Sequence, residues 1–274
     1  GSAHLSFCEA QSGDLFYATN AAGEWRITAI ATGVFGSPSL ALDALGRVHI
    51  AFAGDGVYSL KYASNASGSW VVSTIDSNWV GLFPALAVDA DNRVHISYYD
   101  YQNGYLKYAS NVTGAWHTQI IDNGYAVGKA SAIAIGTSAK VHISYYDEGN
   151  LRLKYATNAS GAWLSSTLDA STEAGSDSAL TADASGKVHI AYYDAQNRAL
   201  KYAYGNPGAW TLATLDTGDL GGTGWNPAMF LDASGTLHIS YNDWGYGFLR
   251  YITNANGVWK SYIVGASPSG GGDI

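Results

Sequence analysis

Apolar and polar positions along this chain alternate in short bursts, and the bursts recur. Residues 94–99 (V-H-I-S-Y-Y) mix β-branched and aromatic side chains with small or polar ones over six positions, a strand signature. Ahead of them, residues 84–90 (P-A-L-A-V-D-A) form a short apolar run with proline at its start, where a strand tolerates it. Gln102, Asn103 and Gly104 then signal a hairpin, and residues 105–110 predict a third strand. Residues 111–114 turn again and residues 115–121 predict a fourth. No helix longer than a turn or two is expected anywhere.

The same pattern starts again at Arg47, Lys140, Lys187 and Thr236, and in shorter form at Ala3. His4, His49, His95, His142, His189 and His238 mark the copies, spaced 45, 46, 47, 47 and 49 residues apart. Trp25, Trp70, Trp116, Trp163, Trp210 and Trp259 keep the same step. Four short strands in a repeat of about 46 residues predict a propeller blade. The first strand of each unit carries small residues on one face (Ser39, Ala85, Ala132, Ala179, Ala228), which suits strands converging on a channel. The chain therefore reads as all-β, one six-bladed β-propeller with four antiparallel strands per blade. Its units fall at about 1–36, 37–82, 83–129, 130–176, 177–225 and 226–266. The first unit lacks an inner strand. The tail 267–274 (S-P-S-G-G-G-D-I) aligns with S-P-S-L-A-L-D at residues 37–43, so it is a candidate for that strand.

Composition narrows the function. Of the 274 residues 47% are apolar and only 13% charged, ample for a core and against disorder. A net charge of −8 disfavours a nucleic-acid backbone as partner, and no apolar run approaches the length of a membrane span. Cys8 is alone, so neither a disulfide framework nor a cysteine metal site is expected. A monomer, secreted or at the cell surface, is the expectation. Gly1 and Ser2 read as a cloning remnant, so the lack of an export signal after them does not count against secretion.

A residue present in every unit serves the repeat, and one that breaks the pattern is free to serve a ligand. The ring of histidines is therefore structural, since a metal needs three or four converging ligands. The Gly-x-Trp tryptophans are expected to cover the seams between blades. Lys61, Lys107, Lys154, Lys201 and Arg250 are expected to pair across their hairpins with the aspartates that end strand two. Asn65, Asn111 and Asn158 match a glycosylation acceptor, but all occupy one repeated turn where asparagine serves the backbone. The turns after strands one and three barely vary, whereas the hairpins after strand two and the connections between units do. The varied face is the candidate site.

On that face lie Trp79 and Phe83, Tyr101, Trp225 with Asn226, and Trp244 with Tyr246, beside Asp100 and Asp243. Rings offer stacking to the C–H face of a sugar while carboxylates and amides take its hydroxyls. These nine residues are the predicted ligand site, for a glycan or another small polar ligand. Calcium is a minor alternative, because aspartates end two strands of each blade there, but no D-x-D-x-D-G loop is present. No cofactor is assigned.

The turn D-A-S-G-K-V-H resembles the Asp box of the sialidase-like propeller superfamily, S-x-D-x-G-x-x-W. Here an extra residue separates Asp from Gly, the turn joins strands one and two, and Gly136 replaces the aspartate in one unit. The resemblance implies kinship with bacterial propellers. It does not carry sialidase activity, which in that family needs three arginines, whereas the variable face offers only Arg152 and Arg198. The layout of aromatic loops is also similar to that of multivalent propeller lectins.

The favoured reading is a non-catalytic, lectin-like, carbohydrate-binding module. The alternative is a glycan-cleaving hydrolase or lyase, for which Glu148, Glu173 and Asp147 are the best acid and base candidates. A scaffold for protein partners is the third reading.

Overall fold

The structure, a computed structural model, describes residues 1–54, 56, 58–171, 173–217 and 222–266. Among these residues every regular element is a strand except one 3-10 turn, Thr137–Ala139. The strands form six antiparallel meanders. The first sheet has three strands, β1 (His4–Cys8), β2 (Leu15–Thr19) and β3 (Arg26–Ala31). The second holds β4 (Val34–Leu42), β5 (Val48–Gly54), β6 (Ser59–Ser64) and β7 (Val71–Asp76). The third holds β8 (Val80–Val88), β9 (Val94–Asp100), β10 (Tyr105–Ser110) and β11 (His117–Asp122). The fourth holds β12 (Val127–Ile135), β13 (Val141–Asp147), β14 (Arg152–Thr157) and β15 (Leu164–Asp169). The fifth holds β16 (Ala174–Ala182), β17 (Val188–Asp194), β18 (Ala199–Asn206) and β19 (Ala209–Thr217). The sixth holds β20 (Thr223–Leu231), β21 (Leu237–Asp243), β22 (Phe248–Thr253) and β23 (Lys260–Ala266). Residues 1–131 form one compact unit and residues 132–274 another. The tail 267–274, proposed from sequence as an inner strand, lies outside the described residues.

The inner strands are longer than the apolar run predicts. β8 starts at Val80, four residues before Pro84, and its register slips between Leu82 and Ala85. Residues 80–83, expected as loop, are thus the first half of a bulged strand. A glycine at one repeated position allows this. A Cβ on Gly81 would stand 2.5 Å from the Leu60 nitrogen, and one on Gly128 2.7 Å from the Leu106 Cα, both at positive φ. Only glycine lets the inner strand lie that close to the preceding sheet.

The strands that carry His49, His95, His142 and His189 are buried on both faces, and in all six meanders the histidine anchors a repeated polar chain. The ring nitrogen Nδ1 of His49 lies 2.5 Å from the Tyr62 hydroxyl, and every one of the six histidines meets a tyrosine thirteen residues on at 2.5–2.6 Å. The register explains the spacing: His49 pairs with Ser64 and Ala51 with Tyr62, so histidine and tyrosine are diagonal neighbours on one face. On the other side His49 Nε2 lies 3.3 Å from Asp43, whose second oxygen accepts the backbone N–H groups of Leu45 and Arg47. The same carboxylate geometry recurs at Asp89, Asp183 and Asp232. Burial pushes the Asp43 carboxyl up, but the bonds from Arg47, His49 and Leu45 outweigh it and hold the group at about 2. Where Gly136 replaces the aspartate, the backbone itself closes on the ring, and an added Cβ would sit 2.6 Å from His142 Nε2.

Two further contacts join successive sheets within each unit. The outer-strand tryptophan of one sheet packs on the tyrosine of the sheet before it: Trp70 on Tyr17, Trp116 on Tyr62, Trp210 on Tyr155 and Trp259 on Tyr202, with centroids 4.9–5.3 Å apart. This is the seam cover read from sequence, worth about 0.5–1.5 kcal/mol per pair beyond its burial. The lysine pairing differs from expectation. Lys107 bonds Asp76 of the preceding sheet, which also accepts from Tyr98 at 2.6 Å. Lys201 likewise meets Asp169 at 2.6 Å, with its own hairpin's Asp194 further off at 3.4 Å. Arg250 keeps the expected hairpin bond to Asp243, 2.7 Å, and adds Asp216. The phenol of a wholly buried tyrosine must find an acceptor, and the aspartate ending the neighbouring strand four is the one in reach. At the first seam Ala31 and Phe52 take the places of the aspartate and tyrosine, so that link is apolar.

Candidate functional site

The hairpin aspartates are scaffold. Asp100, predicted to receive ligand hydroxyls, is buried and accepts both the backbone N–H and the amide N–H of Asn103 at 3.0 Å. Asp243 is buried against Arg250 and accepts the Tyr246 N–H. Asp147, a candidate acid, is buried in the same way by Asn150. Each of the three carboxylates is therefore buried and engaged through both oxygens in holding its own hairpin. Glu148 and Glu173 remain on the variable face, and with Asp147 they add to the burial that pushes the Tyr146 phenol upward. Asn65, Asn111 and Asn158 each accept a backbone N–H at 2.7–2.8 Å, so the repeated turn accounts for them. Among the described residues no group of three or more His, Cys, Asp or Glu side chains is placed to hold a metal.

The pattern-breaking aromatics, in contrast, gather in two groups. In the first unit Tyr58 is the hub. Its ring meets Phe35 at 5.3 Å, Trp79 at 5.4 Å and Tyr101 at 5.9 Å, and Trp79 meets Tyr101 at 6.2 Å. Tyr101 continues to Tyr99 at 6.5 Å, and Tyr99 to Phe83 at 6.4 Å. Lys129 lies over the Tyr99 ring, its Nζ 5.5 Å from the centroid. Trp79, Phe83 and Tyr101 remain 44%, 50% and 55% exposed, so the loops present their rings instead of burying them.

The backbone under this group is strained. Tyr58, Trp79 and Phe83 have φ of 45°, 60° and 50°. The position of Tyr58 is left-handed in all six hairpins and holds Gly13, Gly104 and Gly247 in three others. The position of Trp79 is left-handed in five connections and holds Gly33, Ala126, Glu173 and Gly222 elsewhere. The fold therefore demands this conformation, and glycine meets it freely, whereas a bulky side chain costs about 1–2 kcal/mol. Three large rings at three such positions concentrate strain where the rings are exposed, as at ligand sites.

The second group lies in the other unit. Trp225 stacks on Tyr193 at 4.2 Å, with Trp244 6.0 Å from Trp225. The indole N–H of Trp225 is buried beside the Tyr193 hydroxyl, whose pKa it lowers against the stronger upward push of burial. Tyr246 pairs instead with Phe248, and Asn226 is exposed at φ 45°. Arg198 stands exposed at the left-handed hairpin position of this region. The predicted site thus appears as two sets, Trp79, Phe83 and Tyr101 in one unit and Trp225 and Trp244 in the other. Sequence reading missed Tyr58, Phe35 and Tyr193. Tyr58 was legible in principle, since it stands in a column otherwise rich in glycine.

No protein-family model matches the chain, and no curated protein matches it. Solved structures do. The Aleuria aurantia lectin in complex with Fucα1-6GlcNAc superposes with a TM-score of 0.66 at 13% identity, over 98% of this chain and 94% of that one. SapL1 lectin in complex with α-methyl fucoside gives 0.64 at 13%, over 98% and 97%. A mutant of AofleA from Arthrobotrys oligospora gives 0.65 at 12%, over 96% and 83%. A protein of unknown function from Dyadobacter fermentans gives 0.62 at 12%, over 97% and 88%. At such identities the likeness shows the fold: this chain shares the all-β architecture of these proteins along nearly its whole length.

Proposed function

We propose that the six meanders are the blades of one lectin-like propeller and that the protein binds carbohydrate through its exposed aromatic clusters. The observation that carries the reading is the first cluster, where Tyr58 and Trp79 hold rings on left-handed backbone that glycine occupies in sister positions, and Phe83 does so where Ala130 and Asn226 stand elsewhere. Strained backbone under half-exposed rings is a feature of ligand sites. The two lectins solved with fucosides support the ligand class, since they share the fold over at least 97% of the SapL1 or 94% of the Aleuria chain. Stacking with a few hydrogen bonds on an open surface gives a single-site affinity of about millimolar to micromolar, roughly −4 to −8 kcal/mol. Two clusters engaging one polymer raise the avidity well above that.

The test is a glycan array that includes fucosides, followed by titration calorimetry of Trp79→Ala and Trp244→Ala on the best ligand. Each variant must first melt as the parent does. A loss of about tenfold or more in at least one is expected. Unchanged affinity in both rejects the aromatic clusters as the site, and turnover of any glycan on the array favours the enzyme reading instead.

A further inference from the structure

The fifth sheet departs from the repeat at the end of the sheets where the turns are otherwise constant. After strand three the other sheets turn through Asn-x-x-Gly, at Asn20, Asn65, Asn111, Asn158 and Asn254. In the fifth, Gly205 stands in the place of that asparagine, and Tyr204 in the place of Thr19, Ser64, Ser110, Thr157 and Thr253. β18 and β19 pair on as far as Asn206 and Ala209, and Pro207 and Gly208 close the hairpin, with Gly208 at φ 88° as in a type II turn. The Tyr204 ring stacks on Tyr202 at 5.5 Å and remains half-buried. It borders a cavity of about 350 Å³ at the seam between the fifth and sixth sheets, lined also by Trp259, Asp183, Lys187, Asn254 and Gly235. That size falls in the range of small-molecule sites, about 300–1,000 Å³.

The equivalent seam between the second and third sheets is closed. There Arg47 pairs with Asp43 at 2.5 Å, the Asn92 side chain accepts the Ala44 N–H across the seam at 3.2 Å, and the Asp43 and His49 side chains are 0% and 4% exposed. At the fifth sheet Lys187 replaces Arg47 and has no ion-pair partner among the described residues, and Gly235 offers no side chain where Asn92 reaches across. The Asp183 side chain is left 25% exposed. Its Oδ1 accepts the Ser185 N–H, the Ser185 hydroxyl and the Lys187 N–H, while Oδ2 has only His189 Nε2, at 3.3 Å. Asn254 Oδ1 accepts the Leu237 N–H at 2.8 Å, which leaves its amide N–H groups to donate. We propose that this cavity is a further binding site, at the opposite end of the sheets from Trp225 and Trp244, and that it takes a single neutral sugar ring. Tyr204 and Trp259 supply rings for the C–H face of the sugar, and a carboxylate oxygen, an ammonium and an amide supply an acceptor and donors for its hydroxyls. A charged ligand is disfavoured because a cation meets Lys187 and an anion meets Asp183 in the same space.

The site stands apart from the aromatic loops, so one titration separates the two. Isotope-labelled protein is titrated through the millimolar range with free monosaccharides, L-fucose and N-acetylglucosamine among them, and amide shifts are followed by NMR. Saturating shifts at Lys187, Gly235 and Asn254 are expected for at least one sugar. Tyr204→Ser, which installs the residue of the second and third sheets, is expected to weaken that sugar about tenfold or more with the melting curve unchanged. Gly235→Asn installs the residue that bridges the other seam, at a left-handed position that asparagine tolerates and where an added Cβ meets nothing within 4 Å, and is expected to do the same. Where Gly235→Asn lowers the melting temperature, Tyr204→Ser decides. No shift at these amides with any sugar overturns the proposal, as does parent-like affinity in Tyr204→Ser. Shifts produced by free glycine or another amino acid but by no sugar also overturn it, because the ligand is then a zwitterion held between Lys187 and Asp183. Shifts near Trp79 or Trp244 with none at Lys187, Gly235 and Asn254 reject this site alone, and the reverse pattern supports this site while rejecting the loops.

Discussion

Replacing Asp169 by asparagine removes the charge from the best-defined link between two sheets. The carboxylate is almost wholly buried and accepts from the Tyr192 hydroxyl at 2.6 Å, Lys201 Nζ at 2.6 Å, the Ser171 N–H at 2.8 Å and the Ser171 hydroxyl. Burial alone raises its pKa. The bonds from Lys201, Ser171 and Tyr192 overcome that and hold the group at about 2, against 3.8 for a free carboxyl. The depressed value means that the folded state favours the charged form, so the stabilisation is complete above about pH 4 and is lost as pH falls through 2. A gap of nearly two pH units, at about 1.4 kcal/mol for each, corresponds to about 2–3 kcal/mol at neutral pH. Asparagine keeps the shape and one acceptor, so Asp169→Asn is expected to cost about that much. Alanine also strands the buried Tyr192 hydroxyl and leaves Lys201 with Asp194 at 3.4 Å and the Ser171 hydroxyl at 3.5 Å, so about 3–5 kcal/mol is expected. Urea unfolding followed by tryptophan emission measures both. The sharper readout is the difference between parent and Asp169→Asn, which must shrink as pH is lowered from 4 towards 2. A difference below about 0.5 kcal/mol, or one that does not change with pH, refutes the reasoning, because the aspartate then contributes no more than a surface ion pair.

Three other outcomes rest on the same contacts. Burial lowers the His142 pKa to about 4, below the 6.5 of a free imidazole, so the unfolded chain takes up its proton first and stability falls by about 3 kcal/mol as pH drops from 6.5 to 4; an NMR titration of His142 with a midpoint near 6.5 contradicts this. Gly136→Asp restores the aspartate of the repeat yet is expected to destabilise by at least about 2 kcal/mol, since its Cβ would lie 2.6 Å from His142 Nε2; a stabilised variant shows that the repeat's consensus outweighs this local clash. Phe83→Gly relieves a left-handed phenylalanine at φ 50° and is expected to leave the melting temperature equal or higher while weakening glycan binding; a large loss of stability identifies Phe83 as a packing residue instead.

Much of the scaffold was legible before any coordinates. The matched, nearly regular spacing of His4 to His238 and of Trp25 to Trp259 implies six copies of one unit, and period-two apolar runs imply strands in each. The short side chains at Ser39, Ala85 and Ala132 named the inner strand, and the departures from the repeat named Trp79, Phe83, Tyr101, Trp225 and Trp244. These are local facts, set by neighbours within a few residues or by comparison of one copy with the next. What only the tertiary structure decided are the partners across a seam. Lys107 reaches Asp76 of the preceding sheet because a buried phenol already draws that carboxylate in, and its own hairpin's Asp100 is occupied by Asn103. Tyr58 becomes the hub of an aromatic cluster because the hairpin it ends touches the connection carrying Trp79, through the Val80 N–H bonded to its carbonyl. Periodicity states that such contacts recur, but which side chain fills each one depends on the distance between backbones that sequence brings together only after the sheets have packed.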